Sequence, residues 1–367
     1  MSKRFQWLKM AALPVVCLLL LTSACKTSDD DNESTPTPVT CVYVVGFTLD
    51  SAGTTTPCIW KDGVRSDLSC PTGNKGMASS VFVSGANVYV AGSTFSGTSN
   101  TWTPCYWKDN VRTDLSKVSD AANGEASSIW ISGTDIYVSG DSGIGENSGI
   151  PHSWKNGVRT DLPVLDATKR GSTFSITVSG SDVYVAGLTT TPNMVPCYWK
   201  NGVRTDLSVL VASKWGWATG IRVSGSDLYV SGGSRNSSNV NVACIWKNGV
   251  RSDLTPIDPA KLALAYSIFV SGNDVYAAGY SVNSANVSNA SYWKNGSRTD
   301  LPPIDATKDA SAESIFVFEG DVYVAGASEN SANGFIPCLW KNGARTELSV
   351  PDANGHNYVY SVFVAKQ

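Results

Sequence analysis

The chain has 367 residues, 42% hydrophobic and 16% charged, enough apolar material for a packed core and too much for wholesale disorder. Its 33 Gly and 16 Pro are too many breakers for a helical bundle, and two His leave little room for metal or imidazole chemistry. The formal net charge is −3.

Residues 1–24 read as an export signal. Lys3, Arg4 and Lys9 make a basic start, and Ala11 to Leu21 form an apolar stretch too short to span a bilayer. Leu21-Thr22-Ser23-Ala24-Cys25 then places small residues before a cysteine. This stretch resembles a bacterial lipobox, with Leu one place further from the cysteine than usual. The resemblance implies that Cys25 becomes the lipidated first residue of the mature chain. An ordinary secretory signal cleaved nearby is the alternative.

Residues 25–40 form a polar tether without core-forming side chains. Its acidic run, Asp29-Asp30-Asp31-Asn32-Glu33, resembles the surface-export signal of Bacteroidetes lipoproteins, against the plainer reading of a flexible spacer. Asp50-Ser51-Ala52 also resembles the short O-glycosylation motif of that phylum. Removal of the signal takes three basic residues and leaves 25 basic against 31 acidic, a net charge of −6. Such a surface is a poor partner for nucleic acid.

Residues 41–367 are repetitive. Trp-Lys recurs at Trp60, Trp107, Trp154, Trp199, Trp246, Trp293 and Trp340, with spacings of 47, 47, 45, 47, 47 and 47. One unit predicts four strands, A to D: Ser267 to Gly272, Asp274 to Gly279, Ser291 to Lys294 and Ser297 to Leu301. Lys294-Asn295-Gly296 predicts a type I′ hairpin between C and D. A–B is also tight, whereas the B–C and D–A connections read as long loops that share one face. Seven such units predict an all-β, seven-bladed propeller of four-stranded antiparallel blades. The repeats begin at strand B, near Cys41, and end at a lone strand A, Ser361 to Ala365, so the C-terminal strand should complete the first blade.

The hairpin register sets Trp60 opposite Arg65 and Cys58 opposite Asp67, which predicts Arg–Asp pairing and Trp–Arg stacking in each blade. Cys58, Cys105, Cys197, Cys244 and Cys338 occupy one repeat position and read as small buried side chains. Only Cys41 and Cys70 could form a bridge, and strand geometry argues against it.

The block Trp-x-x-Gly-x-x-x-Asp-Leu, followed after a loop by Ser-Ile-x-x-x-Gly-x-x-Val-x-x-Gly, resembles the extracellular HAF repeat family across residues 41–367. The family's His-Ala-Phe is replaced here, and only His152 supplies a nearby His. The resemblance implies a propeller-like extracellular repeat and no established chemistry.

Departures from the repeat are the candidate ligand-binding residues. Trp102 falls in a B–C connection, and Trp215 and Trp217 in a D–A connection, where rings could stack on sugars or cap gaps between blades. The residues just before strand A should ring a central channel: Ser79, Ser127, Phe174, Thr219, Tyr266, Glu313 and Tyr360, with His356 and Tyr358 nearby. Strand-end packing would explain the same residues. Arg222 stands where other repeats have Phe82, Trp130, Thr177, Phe269, Phe316 and Phe363, either to compensate volume or to hold an anion.

Glu125, Glu146, Glu313 and Glu329 are non-repeated carboxylates without a diagnostic spacing, so no catalytic set, cofactor or metal site is expected. The reading is a monomeric, lipid-anchored, non-enzymatic protein of the bacterial outer membrane that binds an extracellular ligand, with a glycan as the candidate, on its loop-rich face. A protein-interaction scaffold at the cell surface is the first alternative, and a glycan-active hydrolase or lyase the second.

Overall fold

The computed structural model describes residues 38–71, 75–144 and 149–367. The signal, the lipidation site Cys25, tether residues 25–37 and Glu146 lie outside the described residues. Among the described residues no helix is long and apolar enough to cross a membrane.

The described residues form strands β1 to β28, arranged as seven four-stranded antiparallel sheets. In one blade the order from the centre outward is β4 (Lys75–Ser84), β5 (Asn87–Ser96), β6 (Thr101–Lys108) and β7 (Val111–Asp114). The other inner strands are β8 (Asn123–Ser132), β12 (Gly171–Ser179), β16 (Gly216–Ser224), β20 (Ala263–Ser271), β24 (Ala310–Phe318) and β28 (Tyr358–Lys366). The last, β28, pairs with β1 (Thr40–Leu49), followed outward by β2 (Thr55–Lys61) and β3 (Val64–Asp67). The two ends of the repeat region therefore share one sheet, as the sequence predicts.

The C–D hairpins have the expected turn: φ is 50° at Asn156 and 81° at Gly157, the double positive φ of type I′. Their register is also as expected, with Trp60 opposite Arg65 and Cys58 opposite Asp67. Each repeated Arg pairs with the acid two residues on, as in Arg65–Asp67 at 2.6 Å. The expected Trp–Arg stacking is corrected. Only Arg251 over Trp246, at 5.6 Å, shows it among the described residues. The repeated cation–π contact is instead Lys over Tyr, at 5.2–5.5 Å in every blade.

The repeated indoles join neighbouring blades. All seven repeated Trp are 0% exposed. Each Nε1 donates to the carbonyl that follows strand D of the preceding blade, at 2.7–3.1 Å. The core is accordingly divided into seven apolar clusters, most drawing on adjacent blades; Trp60 and Val362 pack with Tyr323 and Leu348 where the ring closes. Cys58, Cys105, Cys197, Cys244 and Cys338 are buried thiols, and Cys41 and Cys70 are not bridged. Burial pushes the Cys58 thiol up to about 12, so it is inert packing.

Two boundaries are corrected. The inner strands start several residues earlier than the repeat suggests, and much of the expected B–C loop is strand: β13 (Asp182–Thr191) and β14 (Asn193–Lys200) are separated by one residue. The residues that the sequence places just before strand A lie inside it, each as a β-bulge. Pairing skips Ser79 between Ala78 and Ser80, and skips Ser127, Phe174, Thr219, Tyr266, Glu313 and Tyr360 in the other inner strands.

The repeated Gly of strand B permits this bulge. A Cβ at Gly92 would lie 2.1 Å from the Met77 carbonyl oxygen, and the six equivalent glycines meet a carbonyl at 1.9–2.1 Å. No side chain fits there, so Gly is required by close approach rather than by φ.

Candidate functional site

The seven bulge residues form the neck between two connected spaces on the propeller axis. The outer space, a mouth cavity of about 330 Å³, adds Met77, Glu125 and Ala126 to them. The inner space, a chamber of about 100 Å³, adds residues deeper along the inner strands, among them Phe82, Trp130, Arg222 and Phe363. The mouth lies toward the start of the inner strands, the end that carries the D–A and B–C connections. A bulge leaves its residue outside the ladder, so these positions vary without loss of sheet pairing.

The mouth mixes exposed rings with polar groups. Phe174 and Tyr360 are 40% and 37% exposed, unusual for large apolar side chains in a concavity. Tyr266 lies against Tyr280, ring centroids 5.9 Å apart. Burial raises both the Tyr266 and Tyr360 phenols, which remain neutral hydrogen-bonding groups. Burial pushes the Glu313 carboxyl up to about 7, opposed by a 2.7 Å hydrogen bond from Ser311 Oγ. Burial raises Glu125 as well. Asp141, its cross-strand neighbour, is pushed up to about 7, first by burial and then by the Glu125 charge.

An aromatic row leads away from the mouth along the seam between the first and last blades. Tyr360 contacts Phe47 at 6.0 Å, Phe47 contacts Tyr358 at 5.7 Å, and Tyr358 stacks on Phe335 at 5.1 Å. His356 ends the row, 5.6 Å from Phe335.

Beyond the neck, side chains from six of the seven inner strands close the channel. Phe269, Phe316, Phe363, Phe82 and Trp130 follow one another at 4.6–5.1 Å. Arg222 completes the arc, its guanidinium 5.0 Å from the Trp130 ring centre. Burial lowers the Arg222 pKa to about 10, so it keeps its charge at neutral pH.

Phe174, Tyr266, Glu313 and Tyr360 thus meet at the mouth, Arg222 lies below them, and Tyr358 and His356 continue the aromatic row. The three Trp candidates do not join them. Trp102 is in β6, paired across strands with Phe95 at 5.6 Å, rather than in a loop. Trp217 is in β16, opposite Gly233 and packed on the space that Gly leaves. Trp215 is in the D–A connection as expected, but its ring carries Arg235 at 4.5 Å and its Nε1 donates to Asn193 Oδ1.

Glu125, Met77, Phe47 and Phe335 were missed as site residues. Glu125 and Met77 carry a signal: each stands two places before a bulge. Phe47 and Phe335 carry none: Phe47 is brought in by its pairing opposite Tyr358 in the first blade, and Phe335 by the contact of the last blade with it. His152 is structural. It fills the repeat's Cys position at 0% exposure, with Nδ1 2.9 Å from Asp161 and Nε2 2.7 Å from Ser142 Oγ. Among the described residues no cluster of three or more His, Cys, Asp or Glu is placed to hold a metal.

No family model and no curated protein matches the chain. Among solved structures it is similar to a triple arginine-to-alanine mutant of AofleA from Arthrobotrys oligospora, at 12% identity and TM-score 0.44, covering 79% of this chain and 89% of that one. It is also similar to a glycoside hydrolase, at 8% identity and TM-score 0.35, covering 63% of this chain and 91% of that one. Likeness at this level assigns no activity.

Proposed function

We propose that this protein is a surface-anchored binding lipoprotein that holds a glycan at the mouth of its propeller channel. The observation that carries this reading is the mouth cavity itself, about 330 Å³ and lined by exposed rings beside hydroxyl and carboxyl groups. Sugar rings offer one apolar C–H face and a rim of hydroxyls. Phe174 and Tyr360 suit the face; Ser79, Ser127, Thr219 and Glu125 suit the rim. The anchor is Cys25, and the acidic tether directs the propeller outward. The HAF-like repeat supplies the rigid ring on which the bulge residues vary.

A glycan-array screen tests the reading. Binding by the wild-type protein, lost in Phe174→Ala and Tyr360→Ala but kept in Trp215→Ala, is the expected result. Absence of glycan binding sends the search to protein partners. Cleavage of a bound oligosaccharide, abolished in Glu125→Gln or Glu313→Gln, would replace binding with catalysis.

A further inference from the structure

We propose that the inner chamber is a binding site for a small oxyanion, a carboxylate or sulfate group, held by the Arg222 guanidinium and a ring of serine hydroxyls. This site stands independently of the glycan reading for the mouth.

Arg222 differs from every repeated arginine of the blades. Those pair with an acid two residues on, whereas Arg222 has no carboxylate within ion-pair distance among the described residues. Its Nη1 donates to the Ile221 carbonyl at 3.3 Å, and its face rests on Trp130. The fold does not need a charge here, since Phe82, Phe269, Phe316 and Phe363 hold the same register position. A half-buried guanidinium without a counter-charge is costly, and an anion offsets that cost. In the adjoining blade the position is Thr177, whose small side chain leaves space beside Arg222.

The chamber wall supplies the remaining donors. Six inner strands place a serine just after the bulge, and each Oγ accepts the backbone N–H of the next blade, as Ser361 does from Val81 at 3.2 Å. With its acceptor role taken, each hydroxyl has its hydrogen left to give. The strand of Arg222 has Gly220 in place of this serine. Glu313 is the one carboxylate on the chamber, at its neck, and Ser311 occupies one of its oxygens. A water needs about 10–15 Å³ of such space, so a chamber of about 100 Å³ admits a small polyatomic anion. A carboxylate matches a guanidinium edge with two parallel hydrogen bonds. The anion enters free, or as the acid group of a larger molecule seated at the mouth.

Thermal denaturation and isothermal titration of the whole protein test this, with sodium acetate, sulfate and glucuronate against sodium chloride at equal ionic strength. Protection by acetate or sulfate shows that a free anion suffices. Protection by glucuronate alone shows that the acid group arrives on a larger ligand. In Arg222→Phe the affinity falls at least about tenfold, the loss expected of one charge-assisted contact. Arg222→Met provides a second variant should Phe pack poorly. Lack of protection by all three salts, or equal protection in both variants, overturns the site.

Discussion

Trp60 Nε1 donates to the Ser349 carbonyl at 2.9 Å, joining residues 289 positions apart and repeating at the ring closure the bond that links every other pair of blades. Closure therefore rests on the same contact as each internal interface. It adds the pairing of β28 with β1, where Val362 and Val364 enter the closing cluster. Trp60→Phe should cost about 1–3 kcal/mol in urea denaturation, because it removes this hydrogen bond and part of a fully buried ring. Removing residues 361–367 deletes most of the clasp and should prevent a cooperative transition. A truncated protein that melts like the full chain would contradict this.

The bulge makes a sharper demand. Gly187→Ala places a Cβ 2.0 Å from the Ser172 carbonyl oxygen, so the inner strand must shift or unpair. A loss of at least about 3 kcal/mol is expected, in the range of severe core overpacking. Gly97→Ala, where a Cβ meets nothing within 4 Å, should change stability by less than about 0.5 kcal/mol. Parallel melts of the two variants check the contrast.

His152 gives the protein a dependence on acid. Burial holds its pKa at about 4, below the ordinary 6.5, so the unfolded chain takes up a proton before the folded one does. Stability is whole above pH 6.5 and falls as the pH drops toward about 4, by about 2–3 kcal/mol for this group. His152→Cys, the residue of five of the other six repeats, should flatten that window in melts between pH 7 and 4.

Glu313 acts in the opposite direction. Its folded pKa of about 7 lies above the ordinary 4.5, so its contribution is present below pH 4.5 and lost as the pH rises toward 7. Glu313→Gln should melt higher than wild type at pH 8, by roughly 1–2 kcal/mol, and converge with it near pH 4. A wild-type melt superimposable on the variant at pH 8 would show that the carboxylate is well solvated.

The lipid anchor has its own test. Labelled palmitate should enter the wild-type protein in a bacterial host and be absent from Cys25→Ser, with the variant released from the membrane fraction. Labelling that survives the substitution would refute acylation at Cys25.

Repetition made the fold legible from the chain. Seven Trp-Lys pairs at near-constant spacing, Asn-Gly hairpins and the unmatched final strand determine blade number, strand order, C–D register and closure, because each is a local pattern copied around a ring. The central ring of Ser79, Ser127, Phe174, Thr219, Tyr266, Glu313 and Tyr360 was legible too, as the variable position within a constant frame. That these residues are bulges was decided by pairing, through Gly92 and its equivalents, which tolerate a carbonyl where a Cβ would stand.

Tertiary structure also decided which unusual side chains act together. Trp102, Trp215 and Trp217 resemble ligand platforms in sequence, yet they lie apart from the mouth: Phe95 and Gly233 engage Trp102 and Trp217 within their own blades, and Trp215, though 39% exposed, carries Arg235. Phe47 reaches Tyr358 through the β1–β28 pairing that closes the first blade, and Phe335 reaches it from the last blade. Arg222 reaches Trp130 past the short side chain of Thr177, a contact set by ring curvature and side-chain length rather than by any spacing along the chain.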